Sequence, residues 1–180
     1  MAVLARMLDR RVTFPAAEQI ESLGAILRAG SLPSRRKALE TAVRCFEPRL
    51  SPLIAAALQD DDQTIRALAA AASAQVSHNL SQQLDELEGR DRSFDLSYAR
   101  AMLLFDHGCH NVLLPHTLRS KHRRAAFAEL QDCRRNAPAE DYRLDAIVDA
   151  ISTLGLELAP AQSGKPRLVH PQELPAAHGG

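Results

Sequence analysis

Leu50-Ser-Pro-Leu-Ile-Ala-Ala-Ala-Leu58, followed by Asp60-Asp61-Asp62 and then Ile65-Arg66-Ala67-Leu68-Ala69-Ala70, is the stretch that decides the fold. Leu50, Leu53, Ile54, Ala57 and Leu58 recur at helical spacing, an acidic step interrupts them, and a second helical pattern starts at Ile65. A shift of 31 positions (Arg35 onto Arg66) also sets Leu23 on Ile54, Leu27 on Leu58, Ser31 on Asp62 and Ala38 on Ala69. Both second helices then begin at a residue able to cap one. A helix pair written twice predicts an all-α protein, a short α-solenoid of stacked pairs that works by offering surface.

Composition agrees with helices. Aromatic residues are 4% of the 180-residue chain and Trp is absent, so Leu and Ala must fill the interior. Sheets draw on aromatic and β-branched residues instead. The 22 basic and 22 acidic residues balance, which argues against a nucleic-acid binder with an overall basic excess. Cys45, Cys109 and Cys133 show no framework spacing and suit a reducing compartment. No apolar run is long enough to span a bilayer. Met1 to Ala5 is short for a signal core, so the chain reads as cytoplasmic, though trimming a membrane hairpin from its front would leave the same remainder.

Four regions follow along the chain. Residues 1–14 show no clear period and read as a flexible lead-in; residues 15–89 hold the helix pairs. Pro15, after Thr13, suits a first helical turn, Gly30 suits a left-handed helix end, and Pro48 and Pro52 suit the start of the third helix. The fourth helix runs from Asp62 through Leu68, Ala72, Val76, Leu80, Leu84 and Leu87, with a kink or break allowed at Ser77-His78-Asn79. It is expected to bridge the two halves. Residues 90–155 should form three helices. The first spans Ser93 to His107, with Gly108 as its stop, and the second runs from Pro115 to Asn136. The last runs from Pro138 to Gly155 with Leu144, Ile147, Val148, Ile151 and Leu154 inward. Residues 156–180 are rich in Pro, Gly, Gln and His and read as a disordered tail.

The motif Asp62-x-x-Ile65-Arg66-x-x-Ala69 behind a Leu-rich helix resembles the second helix of a HEAT repeat in its short bacterial form. The resemblance covers roughly residues 16–88 and implies an acidic cap, an apolar Ile65, a close-approach Ala69, and Arg66 reaching a carboxylate in the neighbouring unit's turn. In the first copy Ser34 and Ser31 replace Ile65 and Asp62, which puts the arginine ladder there in doubt. HEAT-like pairs, a long helix and a helical region of tetratricopeptide flavour also resemble, more distantly, the cytoplasmic part of the E subunit of Pel-type exopolysaccharide machinery. That likeness implies a scaffold at the inner membrane, associated through a partner subunit. It is weakened by the missing membrane helices and by the loose fit of Tyr98, Gly108 and Ala125 to a tetratricopeptide pattern.

Two clusters carry possible chemistry. His107, Cys109, His110, His116 and His122 are metal-ligand types, but structural zinc sites pair ligands two to four residues apart, in two pairs. Here only the first pair fits, so no metal or other cofactor is expected. Arg119, Lys121, His122, Arg123 and Arg124 form a basic run suited to nucleic acid or an anionic surface. No aromatic residues interleave to stack bases, so a solvated helix pairing with Asp141, Asp145 and Asp149 is favoured. No nucleophile elbow, phosphate loop or zinc-protease motif is present.

The expected function is therefore non-catalytic, a scaffold or adaptor binding a partner protein. Its contact residues are expected to be Arg35, Arg36 and Arg66, around Ala70 in an inner groove, together with Arg119, Lys121, Arg123 and Arg124. The competing class is a nucleic-acid-binding protein or enzyme using residues 119–124.

Overall fold

Short links (two residues in the first pair, five in the second) and helical periodicity produce pairs of antiparallel rods. In the computed structural model, which describes residues 17–88, 93–138 and 140–158, every regular element among those residues is helical. Ala17–Ala29 (α1) and Leu32–Arg44 (α2) make the first pair. Pro48–Leu50 winds a 3-10 turn into Ser51–Ala57 (α3), and Gln63–Glu88 (α4) completes the second. Phe94–His110 (α5), His116–Asn136 (α6) and Leu144–Leu158 (α7) follow. The expected segments 1–14 and the chain beyond Leu158 lie outside the described residues, as do Thr13 and Pro15.

Within each pair α1 lies on α2 and α3 on α4; between pairs α1 touches α3 and α2 touches α4. The interior joins Leu27, Leu39, Ile54, Ala57, Ile65, Ala72 and Val76. The matched positions Ala38 and Ala69 are both buried there, where a small side chain lets neighbouring helices approach.

The two caps differ. The Asp62 carboxylate accepts from the amides of Thr64 at 2.8 Å and Ile65 at 3.1 Å, satisfying two orphan donors of α4. Those bonds, Ile65 first, hold its carboxyl below the usual range. Ser31 stands at the α2 N-cap but makes no side-chain cap, and its hydroxyl bonds that of Ser34 at 2.9 Å. Gly30 does not take the expected left-handed backbone. A Cβ there would lie 2.5 Å from the Ile26 carbonyl oxygen, so glycine is needed for space.

α4 runs unbroken through Ser77-His78-Asn79. Those three side chains are exposed, whereas Val76 and Leu80 on either side are buried, so packing overrides the weak local propensity. Leu80 and Leu87 pack with Ala99, Leu103 and Leu114. The second half of α4 thus carries the C-terminal helices, as a bridge should.

α5, α6 and α7 enclose Ala101, Leu104, Ala126, Leu130, Cys133, Ile147, Ala150 and Leu154. Three helix ends differ from their glycine and proline signals. Gly108 lies inside α5, where a Cβ would meet Arg123 Cγ at 2.8 Å and Arg123 N at 3.0 Å. It marks a helix crossing, not a stop. Gly108→Ala should therefore push α5 from α6 and cost about 1–3 kcal/mol, read as a lower urea midpoint. α7 continues through Gly155 to Leu158, so residues 156–158 are helix and not tail. Its start is Leu144, because Pro138 accepts a turn bond from Asp141 N at 3.0 Å. Arg143 then ties that turn to Asp141 at 2.7 Å and to Asp95 at 2.6 Å, over the Phe94 ring. Val148, expected inward, is exposed. Among the described residues no helix is long and apolar enough to cross a membrane.

Candidate docking groove between α2 and α4

The second helices of the two pairs diverge enough to leave an open groove of about 460 Å³. Leu39, Glu40, Val43 and Arg44 form its α2 wall, and Leu68, Ala71, Ala72 and Gln75 its α4 wall. The floor is apolar because Leu39 and Ala72 belong to the core, while Glu40, Arg44 and Gln75 stand exposed at the rim. This arrangement can hold an apolar side chain and present charge along its edge.

The expected contact residues sit elsewhere on the same helices. Arg35 is half-buried and ion-paired with Asp60, in the turn of the second pair. Among the described residues Arg66 reaches no neighbouring carboxylate. Its guanidinium donates to the carbonyl oxygens of Asp60 at 2.6 Å and Asp61 at 2.9 Å, fastening its own turn. The bond between units was expected of the second-copy arginine and is made by the first. Arg36 lies 3.9 Å from Glu40 and is exposed, one turn along α2 from the groove wall. Ala70 is exposed beside the α4 wall without lining it. No charge or capping signal marks Leu39, Val43, Leu68 and Ala71; only their shared helical faces could have drawn attention to them.

The basic run is divided by the α6 face. Lys121 and Arg124 are exposed, and Arg124 Nε donates to the Ser120 carbonyl at 3.3 Å. Arg119 is half-buried with its carbonyl beneath Gly108, and Arg123 pairs with Glu157 at 2.8 Å. The α7 partner is thus Glu157, while Asp141 is engaged by Arg143.

The histidine cluster forms a polar junction between the two halves. Ser51 Oγ, fully buried, lies 2.6 Å from Pro48 O and 2.9 Å from His110 O, and accepts from Val112 N at 2.9 Å. His107 is buried with Nδ1 3.0 Å from Asn111 Nδ2. Asn111 Oδ1 accepts from Leu113 N at 3.1 Å, so Nδ2 is the donor and His107 Nδ1 must accept. Burial, with His122 adding repulsion, pushes His107 down to about 4. Burial pushes the neighbouring Asp106 carboxyl up to about 6 against the pull of Arg49. Cys109 faces Glu157, and burial raises its thiol to about 11, which leaves it a poor nucleophile. His116 is exposed at the start of α6 and His122 is buried. Among the described residues no three His, Cys, Asp or Glu side chains gather as a metal-holding group.

In comparisons with known proteins, no family model, no curated protein and no solved structure matches this chain.

Proposed function

We propose that the chain is a non-catalytic helical-repeat adaptor, a short α-solenoid of HEAT-like pairs capped by α5–α7, that holds a polypeptide in the α2–α4 groove. The observation that carries this reading is an apolar-floored, 460 Å³ open groove between the second helices of two repeated pairs. Pairing of Arg35 with Asp60 supports it as well, because the first turn of α2 is then tied to the turn between α3 and α4 in the neighbouring pair. The likeness to the E subunit of Pel-type exopolysaccharide machinery supports work as a scaffold at a membrane assembly. The basic run on α6 supports a nucleic-acid interface poorly, since Arg123 is already engaged by Glu157.

A photoreactive residue at groove position 75 should crosslink polypeptide in extracts of the native cell, and the same label at exposed position 124 should not. Ala71→Arg should abolish capture, while Arg124→Glu should retain it. Salt-sensitive affinity for a random duplex, lost in Arg124→Glu, would instead favour the nucleic-acid class.

A further inference from the structure

We propose that the polypeptide held in the α2–α4 groove is the outer face of α7 from a second copy of this chain, so that copies join head to tail. This rests on the groove reading above and names its occupant. Along α7, Asp145, Val148, Asp149, Ser152, Gly155 and Leu156 fall within about a third of the helix circumference at 3.6 residues per turn. All six are exposed, opposite the buried Ile147, Ala150 and Leu154. Val148 is 42% and Leu156 82% exposed. Nothing stands within 4 Å of the site where Gly155 would carry a Cβ, so another backbone can come close.

Charge matches this face to the groove. α2 carries Arg35, Arg36, Lys37 and Arg44 against a single acid, Glu40, whereas α7 carries Asp145, Asp149 and Glu157 with no base. Arg35 is committed to Asp60 and Glu157 to Arg123. With Arg36 beside Glu40 at 3.9 Å, that leaves Lys37 and Arg44 to meet Asp145 and Asp149. The α4 wall has no acidic residue between Asp62 and Asp85, so nothing there repels the incoming carboxylates. Lengths match too. Val148 and Leu156 are two i+4 steps apart, about 12 Å, and the α4 lining from Leu68 to Gln75 spans about 10 Å. Groove and α7 are different surfaces, so the contact is heterologous and each added copy leaves both ends open.

Sedimentation of the full chain, from about 1 µM to about 500 µM as a small interface requires, tests this. The wild type should grow beyond a dimer with concentration, and 0.5 M salt should reduce that growth about tenfold in apparent affinity. Ala71→Arg and Leu156→Arg, both at exposed positions, should each be monomeric with unchanged far-ultraviolet dichroism. Mixed in equal amounts they should form one dimer and nothing larger, because only one intact groove and one intact α7 face can meet. A wild type that stays monomeric overturns the self-contact. So does a Leu156→Arg chain that associates like wild type. In either case polypeptide capture at position 75, lost in Ala71→Arg, still tests the groove by itself.

Discussion

Ile65→Ala is expected to lower the unfolding free energy by about 2–5 kcal/mol. Ile65 is fully buried in the first turn of α4, among Leu27, Ala38, Leu39 and Ile54. Three members of that cluster are Ala38, Ala57 and Ala69, whose own side chains are too short to reach into the space. The cavity therefore persists, and its cost adds to the lost transfer free energy of three carbon atoms. With no tryptophan to report, the helix signal at 222 nm is the measurement of choice. At a urea slope of about 2 kcal/mol/M, the midpoint should fall by about 1–2.5 M. A shift within error of the exposed control Ala67→Ser would mean that this first turn does not organise the core.

Acid should loosen the junction between the halves through His107. Its folded value of about 4 lies below the ordinary 6.5, so the native state prefers the neutral ring. That preference contributes fully above pH 6.5 and is lost as pH falls toward 4, on the order of 3 kcal/mol. The hydrogen bond gives the cause its chemistry: a proton on Nδ1 would face the amide donor of Asn111. Burial depresses His110 and His122 in the same direction. Asp106 works the other way. Its carboxyl is raised from 3.8 to about 6, so the folded state gains relative stability as pH drops through that window. Thermal melts at pH 7.5 and pH 4.5 should show a net loss in the wild type and a smaller loss in His107→Gln. Equal losses in both would place the acid sensitivity elsewhere.

The chain's own pattern made some features legible and left others dark, for reasons visible residue by residue. Asp62 was readable as a cap because capping is decided within three residues, and the bonds to Thr64 and Ile65 follow from that spacing. Ser31 has a capping residue's chemistry, yet its hydroxyl found Ser34, a competition that composition does not resolve. Gly108 and Gly155 both look like helix stops; neither is one. For Gly108 the deciding neighbour is Arg123, on another helix, and for Gly155 nothing opposes continuation. Arg66 was placed correctly on its helix and assigned the wrong acceptor, since a flexible arginine takes whichever oxygens the turn exposes.

What the sequence determined by itself is the helical class, the four helices of the first two pairs, the burial of Ala38 and Ala69, and the reach of α4 into the second half. These depend on periodicity and capping, which act over a few residues of one strand of chain. Only the tertiary structure decided that the groove opens over Leu39, Val43, Leu68 and Ala71 instead of around Arg35 and Arg66. It also decided that Val148 and Leu156 face outward. Both depend on how far apart and at what rotation two helices settle, and that is fixed by side chains distant in sequence meeting across the core.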